Sequence, residues 1–334
     1  MKAIALVSGG LDGILAARLM QKSGIEVILV YFNIPFHQKE KALFSNAKDK
    51  IAIINSNLGR EAVIVDISTD FFALLLNPKH GYGSNMNPCI DCKILMLKKA
   101  KELMLQQEAS FIVTGEVLGQ RPMSQTKRNF LIMDKECGLE GLVLRPLSAQ
   151  LLPKTIPEEQ GWVNKDFLLD FNSRSRKPQL ALAEKFKISD YLAAGGGCLL
   201  TEPEFIKKIK DLISHGELNT DNVELLKTGR HFRISETAKL IVGRDERENK
   251  ELENAAKEND FLFIPPGNVA GPTSLARGIL NEDLIRLCCS ITCYYCNNKD
   301  KSILKIGFKK IQAGEENILE VNPLENKILS GMRI

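Results

Sequence analysis

Val7-Ser8-Gly9-Gly10-Leu11-Asp12-Gly13 is the stretch from which the rest of this chain is best read. Ahead of it, Lys2-Ala3-Ile4-Ala5-Leu6-Val7 is a short apolar run that suits a buried strand. Behind it, Ile14 to Met20 keeps a helical spacing, and Gly24 stands where such a helix stops. A strand that turns through Ser-Gly-Gly into a helix aims several backbone N–H groups at one point. The helix dipole adds to them, so the point is an anion site. Gly9 and Gly10 let the backbone approach a phosphate with no Cβ in the way. A bare Gly-Gly would serve an ordinary tight turn equally well.

Outward from the loop, apolar runs alternate with helical patterns. Glu26–Phe32 and Glu61–Ile67 read as strands, with a mixed, helical stretch over Lys39–Leu58 between them. A helix through Ile94–Gln106 precedes a fourth strand, Ser110–Gly115. This alternation predicts a parallel sheet covered on both faces, with ligands beyond the carboxyl ends of its strands. Ser8, Phe32 and Thr114-Gly115-Glu116 all fall at such ends and should share one crevice. Phe32 is suited either to stacking on an adenine or to packing in the core.

Ser8, Gly9, Gly10 and Asp12 resemble the PP-loop of the ATP pyrophosphatases, which cleave ATP between its α and β phosphates. Gly13 departs from that family's pattern, which has a hydroxyl residue there. No Gly-Lys-Ser/Thr follows, so the P-loop of kinases and GTPases is a poor rival. Thr114-Gly115-Glu116-Val117-Leu118-Gly119-Gln120 followed by Ser124-Gln125-Thr126 is similar to a segment of the tRNA 4-thiouridine synthetases, with one extra residue before Ser124. Leu144-Arg145-Pro146-Leu147 is similar to the Arg-Pro-Leu that follows in those enzymes. The resemblance covers roughly residues 1–200. It implies a doubly wound, adenine nucleotide α-hydrolase-like α/β fold. ATP would be held by Ser8, Gly9, Gly10, Asp12, Gly13, Phe32, Thr114, Gly115 and Gln125, with Asp12 holding magnesium on the pyrophosphate.

Composition sets limits on class. The 334 residues are 44% hydrophobic and no apolar stretch approaches the roughly 20 residues needed to span a membrane. The first apolar run is broken too early by Ser8-Gly9-Gly10 for a signal peptide, so a cytoplasmic address is expected. A net charge of +4 excludes a strongly basic nucleic-acid binder but permits a local patch. Eight cysteines without a secretion signal point to metal, cluster or thiol chemistry.

Cys89 and Cys92, in Asn87-Pro88-Cys89-Ile90-Asp91-Cys92, are three apart on the opening turn of a helix, with Pro88 suited to its first position. Thiols at a helix N-terminus ionise easily, which suits a nucleophile or a metal ligand. Cys198 follows Gly195-Gly196-Gly197 and is the candidate third thiol. A CxxC with a distant single cysteine resembles the cluster-dependent tRNA thiolases, which implies a [4Fe–4S] cluster on Cys89, Cys92 and Cys198. Two other readings stay open: a persulfide on Cys89 or Cys92 resolved by Cys198, and three silent thiols. Cys137 reads as a loop thiol. Cys288, Cys289, Cys293 and Cys296 follow a helix start capped at Asn281 and read as small core residues, despite a CxxxCxxC spacing.

Arg174, Arg176 and Lys177 cluster in a turn suited to RNA phosphates, and Lys207, Lys208 and Lys210 extend the positive charge. From Gly229 the texture changes to strand, strand, charged helix over Glu246–Asn259, strand. Val242-Gly243-Arg244 and Asn249 carry a resemblance to the NFACT-R type of RNA-binding domain over about residues 235–334, with Arg244 and Arg277 as candidate phosphate contacts. The expected organisation is a PP-loop domain over 1–205, a linker over 206–234 and a smaller C-terminal α+β domain over 235–334. The resemblances imply an ATP-dependent tRNA sulfurtransferase that takes sulfur from sulfide or a persulfide carrier protein. The alternatives are a cluster-free persulfide thiolase, a PP-loop enzyme adenylating another acceptor, and a non-catalytic RNA-binding or ribosome-associated factor.

Overall fold

Continuous burial of Ala3, Ile4 and Ala5 and a buried face on the following helix fix the first βα unit. Strand β1 (Lys2–Leu6) is followed by α1 (Leu11–Lys22), which buries Leu11, Ile14, Leu15, Leu19 and Met20. Each such side chain removed from water contributes about 1.5–3 kcal/mol. The helix ends where expected, with Gly24 in the left-handed region at φ 80°. The computed structural model describes residues 1–37, 47–192, 198–297 and 303–334. They divide into two units, Met1–Glu202 and Pro203–Ile334.

The first unit continues through β2 (Glu26–Asn33), α2 (Ala47–Leu58), β3 (Val63–Asp66) and α3 (Ser68–Leu76). Next come α4 (Cys89–Gln106), β4 (Phe111–Thr114), α5 (Lys127–Cys137), β5 (Val143–Leu144), the short α6 (Ile156–Glu159) and α7 (Lys177–Lys185). The five strands are parallel in the order β3-β2-β1-β4-β5. The chain therefore builds outward from β1 in one direction, then crosses to β4 on its other side. That reversal makes a switch point between β1 and β4, where open α/β sheets take their ligands. The Ser-Gly-Gly loop leaves one of these strands and Thr114-Gly115-Glu116 leaves the other.

Some boundaries differ from expectation. The helix after β2 is seen from Ala47, and residues 38–46 of the expected stretch lie outside the described residues. Pro88 is the cap of α4 with ψ 62°, not its first helical residue, so Cys89 opens the helix. Cys137 is no loop thiol: it is the last residue of α5 and is buried, packed where a helix must turn inward through Gly138.

The second unit opens with α8 (Pro203–Ser214) and α9 (Thr220–Leu225). Its strands are β6 (Arg230–Ser235), β7 (Ala238–Val242), β8 (Phe261–Ile264), β9 (Ser274–Gly278), β10 (Leu304–Lys310) and β11 (Glu316–Val321). Helices α10 (Glu246–Ala255), α11 (Glu282–Tyr294) and α12 (Asn326–Met332) accompany them. The sheet is antiparallel in the order β11-β10-β8-β9-β7-β6. The expected linker over 206–234 is overturned. Phe205, Ile206, Ile209 and Leu212 give α8 a buried apolar face, and Val223 and Leu225 do the same for α9, so the segment folds within this unit. Asn281 caps α11 through Leu284 N, and Cys288, Cys289 and Cys293 on that helix, with Cys296 after it, are core residues. Among the described residues no helix is long and apolar enough to cross a membrane.

Candidate nucleotide and thiol site

The loop after β1 is held open by its own backbone. Gly9 has φ 81°, and its carbonyl accepts from Leu192 N at 2.9 Å. A Cβ on Gly9 would come within 3.0 Å of Leu192 Cδ1 and sit in a conformation costly for any other residue. Gly10 caps α1 with no side-chain acceptor, so the first-turn amides remain available to an anion. Gly115, leaving β4, has its open side against the backbone of Asp12 and Gly13, where any Cβ would overlap. Gly13 is itself close-packed, since a Cβ there would stand 3.3 Å from Leu6 O. The first turn of α1 is thus pinned between two strand ends, with little room for the hydroxyl residue that PP-loops usually carry at this position.

Asp12 is held by two side chains, one of them braced by a third. Gln120 Nε2 donates to its Oδ2 at 2.7 Å, and Arg176 Nη2 lies 3.5 Å from its Oδ1. Gln179 Nε2 in turn donates to Gln120 Oε1 at 3.0 Å. Arg176 was expected at an RNA surface; the structure puts it on Asp12, because α7 presents it to the same strand edges. Arg174 and Lys177 are exposed. Sequence reasoning assigned no site role to Gln120 or Gln179. The only signal was the spacing of three between Arg176 and Gln179, which puts both on one face at the start of α7.

Behind the loop lies a buried ionic network. Glu116 is 3% exposed, and its Oε2 accepts from Thr114 Oγ1 at 3.0 Å and Arg145 Nε at 3.1 Å. Arg145 also forks onto Asp134 at 2.8 and 2.9 Å and stacks over Phe130 at 4.1 Å. Lys93 Nζ approaches Glu116 Oε1 at 3.7 Å. Burial pushes the Glu116 carboxyl up, but the Lys93 and Arg145 charges and the two hydrogen bonds outweigh it and hold the group below its usual range. Thr114 is therefore spent on Glu116. Phe32 is buried in β2 opposite Val65 of β3, the packing alternative of its two readings. Gln125 is buried, and its Oε1 has no partner among the described residues. That orphaned acceptor fits a nucleotide hydroxyl or amino group.

The three candidate thiols gather at the same sheet edge. Helix α4 runs back toward the start of β4, so its N-terminus, with Cys89 and Cys92, lies beyond the strands' carboxyl ends. Lys93 ties that turn to Glu116. The other segment is pinned at both ends. Leu192 pairs with Gly10, and Cys198 pairs with His37 just past β2, while Leu199 N donates to Phe36 O at 2.8 Å. Asn85 Nδ2 bonds Thr201 O at 2.9 Å, and Asn87 Nδ2 donates to Cys89 Sγ at 3.1 Å. The glycines 195–197 lie outside the described residues.

Cys89, Cys92 and Cys198 are half-buried. Burial pushes the Cys92 thiol up to about 12, with Lys93 opposing and Cys198 and Cys89 adding to the rise. Burial likewise pushes Cys198 to about 11, with Cys89 again a neighbouring charge. At Cys92, burial opposes the easy ionisation expected from a helix N-terminus. Among the described residues no three donors stand close enough to share one metal ion. Three thiols on separate corners of a cluster need not share one ion, and the all-sulfur donor set fits an iron–sulfur group.

The C-terminal candidates resolve differently. Arg277 is committed inside its unit: Nε bonds Asp260 Oδ1 at 3.0 Å, Nη2 bonds Asp260 Oδ2 at 2.6 Å and Nη1 bonds Asn222 at 3.1 Å. It is a structural clamp, since the buried carboxylate of Asp260 and the side chain of Asn222 in α9 claim its donors. Arg244 is half-exposed and forks onto Glu248 of α10. Asn249 accepts from Thr273 N at 3.0 Å and occupies the space beside Gly243.

Residues 1–151 match the family of the thiamine biosynthesis protein (ThiI), and residues 229–331 match the NFACT protein RNA binding domain. A probable tRNA sulfurtransferase of Thermococcus kodakarensis is 32% identical over 146 residues, 44% of this chain and 36% of that protein. One of Methanosarcina mazei is 35% identical over 133 residues, 38% of this chain and 31% of its own length. The chain thus spans about a third of the length of these curated relatives. Among solved structures, a 4-thiouridine synthetase–RNA complex with bound ATP gives a TM-score of 0.35 at 20% identity, over 56% of this chain and 49% of that one.

Proposed function

We propose that this chain is an ATP-dependent tRNA sulfurtransferase. The observation that carries the reading is the pair of backbone contacts made by Leu192 and Cys198. Leu192 pairs with Gly10 of the Ser-Gly-Gly loop, and Cys198 pairs with His37 past β2, which supports a third thiol at the edge that carries Cys89 and Cys92. The match of residues 1–151 to the ThiI family and the sulfurtransferase relatives support it.

A carbonyl oxygen on a nucleobase is a poor leaving group. Attack of that oxygen on the α-phosphorus of ATP expels pyrophosphate and leaves an adenylated base. Sulfur then bonds to the activated carbon, and AMP departs with the oxygen. The free amides of Gly10 and the first turn of α1 bind the phosphates and stabilise their charge. Gln120 orients Asp12, which would hold magnesium on the pyrophosphate. Gly115 lets β4 close on α1 and helps keep water from the adenylate. Cys89, Cys92 and Cys198 would hold a [4Fe–4S] cluster, which would supply sulfide-level sulfur to the activated base. The second unit, through its match to the NFACT RNA binding domain, contributes affinity for tRNA.

Protein reconstituted without oxygen is expected to be brown and to hold about four irons per chain. Cys89→Ala, Cys92→Ala and Cys198→Ala should each lose both colour and tRNA thiolation. Cys289→Ala and Cys293→Ala should keep both. Colourless protein that still thiolates tRNA would overturn the cluster in favour of a persulfide; thiolation untouched in Cys198→Ala would remove the thiols from the reaction.

A further inference from the structure

Neither family match covers residues 152–228, yet the start of α7 in this segment reaches Asp12, directly through Arg176 and through Gln120 from Gln179. Arg176 Nη2 stands 3.5 Å from Oδ1, and Gln179 reaches Oδ2 through Gln120 in two hydrogen bonds of 3.0 and 2.7 Å. The start of α7 therefore acts on Oδ1 of Asp12 directly through Arg176 and on Oδ2 indirectly, by bracing Gln120. Two atoms of this arrangement remain unused. Arg176 Nε and Gln179 Oε1 are buried with no partner among the described residues, and Gln179 is only 1% exposed. Buried polar atoms are costly to leave unpaired, and at a site they point to a ligand not yet bound.

The chemistry separates the two residues. A guanidinium has a planar fork of donors and pairs more strongly with phosphate oxygens, two at a time, than with one carboxylate oxygen at 3.5 Å. The spare atom of Gln179 is an acceptor, so it cannot take a phosphate oxygen. Its donor is already spent on Gln120.

Building on the sulfurtransferase reading, we propose that Arg176 is a direct contact to the β and γ phosphates of ATP, and that Gln179 is a positioning residue for Asp12. Without nucleotide, Arg176 neutralises Asp12. When ATP enters, the guanidinium turns to the phosphates and frees Oδ1, while Gln120, braced by Gln179, keeps Oδ2 in place. The freed oxygen is then available to magnesium. The nucleotide site is thus completed by a helix outside the matched PP-loop domain.

Calorimetric titration of the full chain with ATP and with AMP, each with and without magnesium, tests this. Arg176→Ala should weaken Mg·ATP binding about 10- to 100-fold, as expected for a lost charged hydrogen bond. AMP, which lacks the β and γ phosphates, should lose less than about threefold by the same reasoning. Arg176→Lys should fall between, since it keeps the charge without the fork. Gln179→Leu should weaken Mg·ATP but leave metal-free ATP within about twofold, because no direct contact is removed. Melting curves confirm that each variant is folded. Arg176→Ala that binds ATP like the wild type, or that loses ATP and AMP equally, overturns this inference alone. Wild-type protein that fails to bind ATP overturns the sulfurtransferase reading with it.

Discussion

Glu116 is a carboxylate that only its neighbours make tolerable. Removed from water, it is held by Thr114, Arg145 and Lys93, and it links the strand end beside the nucleotide loop to the helix turn bearing Cys92. Its folded carboxyl lies below the usual 4.5, so the stability it gives is present above that value and is lost as pH falls through the folded one. Glu116→Gln is expected to cost about 3 kcal/mol at pH 7, because Arg145 and Lys93 lose a buried counter-charge. The cost should shrink as pH falls from 4.5, where the unfolded chain takes up the proton, through the lower folded value, where the native group does. Urea unfolding at pH 7 and at acid pH measures it; an equal loss at both would show that the ionised form carries no stability.

At the scale of elements, the junction of β1, α1 and β4 depends on a missing side chain. Gly115 presses on the backbone of Asp12 and Gly13, so Gly115→Ala must push α1 away from β4. We expect a loss of about 1–3 kcal/mol, typical of overpacking, together with weaker ATP binding. Thermal melts and ATP titration check both, and a variant that melts and binds like the wild type would contradict the close contact. This junction was legible in the sequence because a strand, a Gly-Gly turn and a helix follow in unbroken order, and because Thr-Gly-Glu lies at a strand end. The roles of Arg176 and Gln179 were not legible. Three positive charges in a turn look like a solvated or RNA-facing surface, and nothing local says that α7 packs its first turn against a loop over 160 residues earlier. The thiol shifts were hidden for a similar reason. Position on a helix is a local property, whereas the desolvation that governs Cys92 comes from segments brought there by the fold.

Across the whole molecule, the two units follow opposite rules of construction. One is a parallel sheet wound outward from its first strand, and the other is an antiparallel sheet with a separate core that includes Cys288, Cys289, Cys293 and Cys296. The change of texture near Gly229 marked the second pattern, but the amphipathic helices α8 and α9 ahead of it read as a linker because their charged faces dominate the composition. Arg277 shows the same limit: a cation on a strand is visible in sequence, while its buried partner Asp260 is not. The proposed activity would call on both units, since replacing a base oxygen by sulfur needs activation by ATP, a sulfur site and a hold on tRNA. The direct test is the nucleoside content of tRNA incubated without oxygen with this chain, Mg·ATP and sulfide, read by mass spectrometry, with AMP and pyrophosphate counted in the same reaction. The account predicts one thionucleoside for each AMP and each pyrophosphate released; unmodified tRNA, or thiolation without AMP, would contradict it.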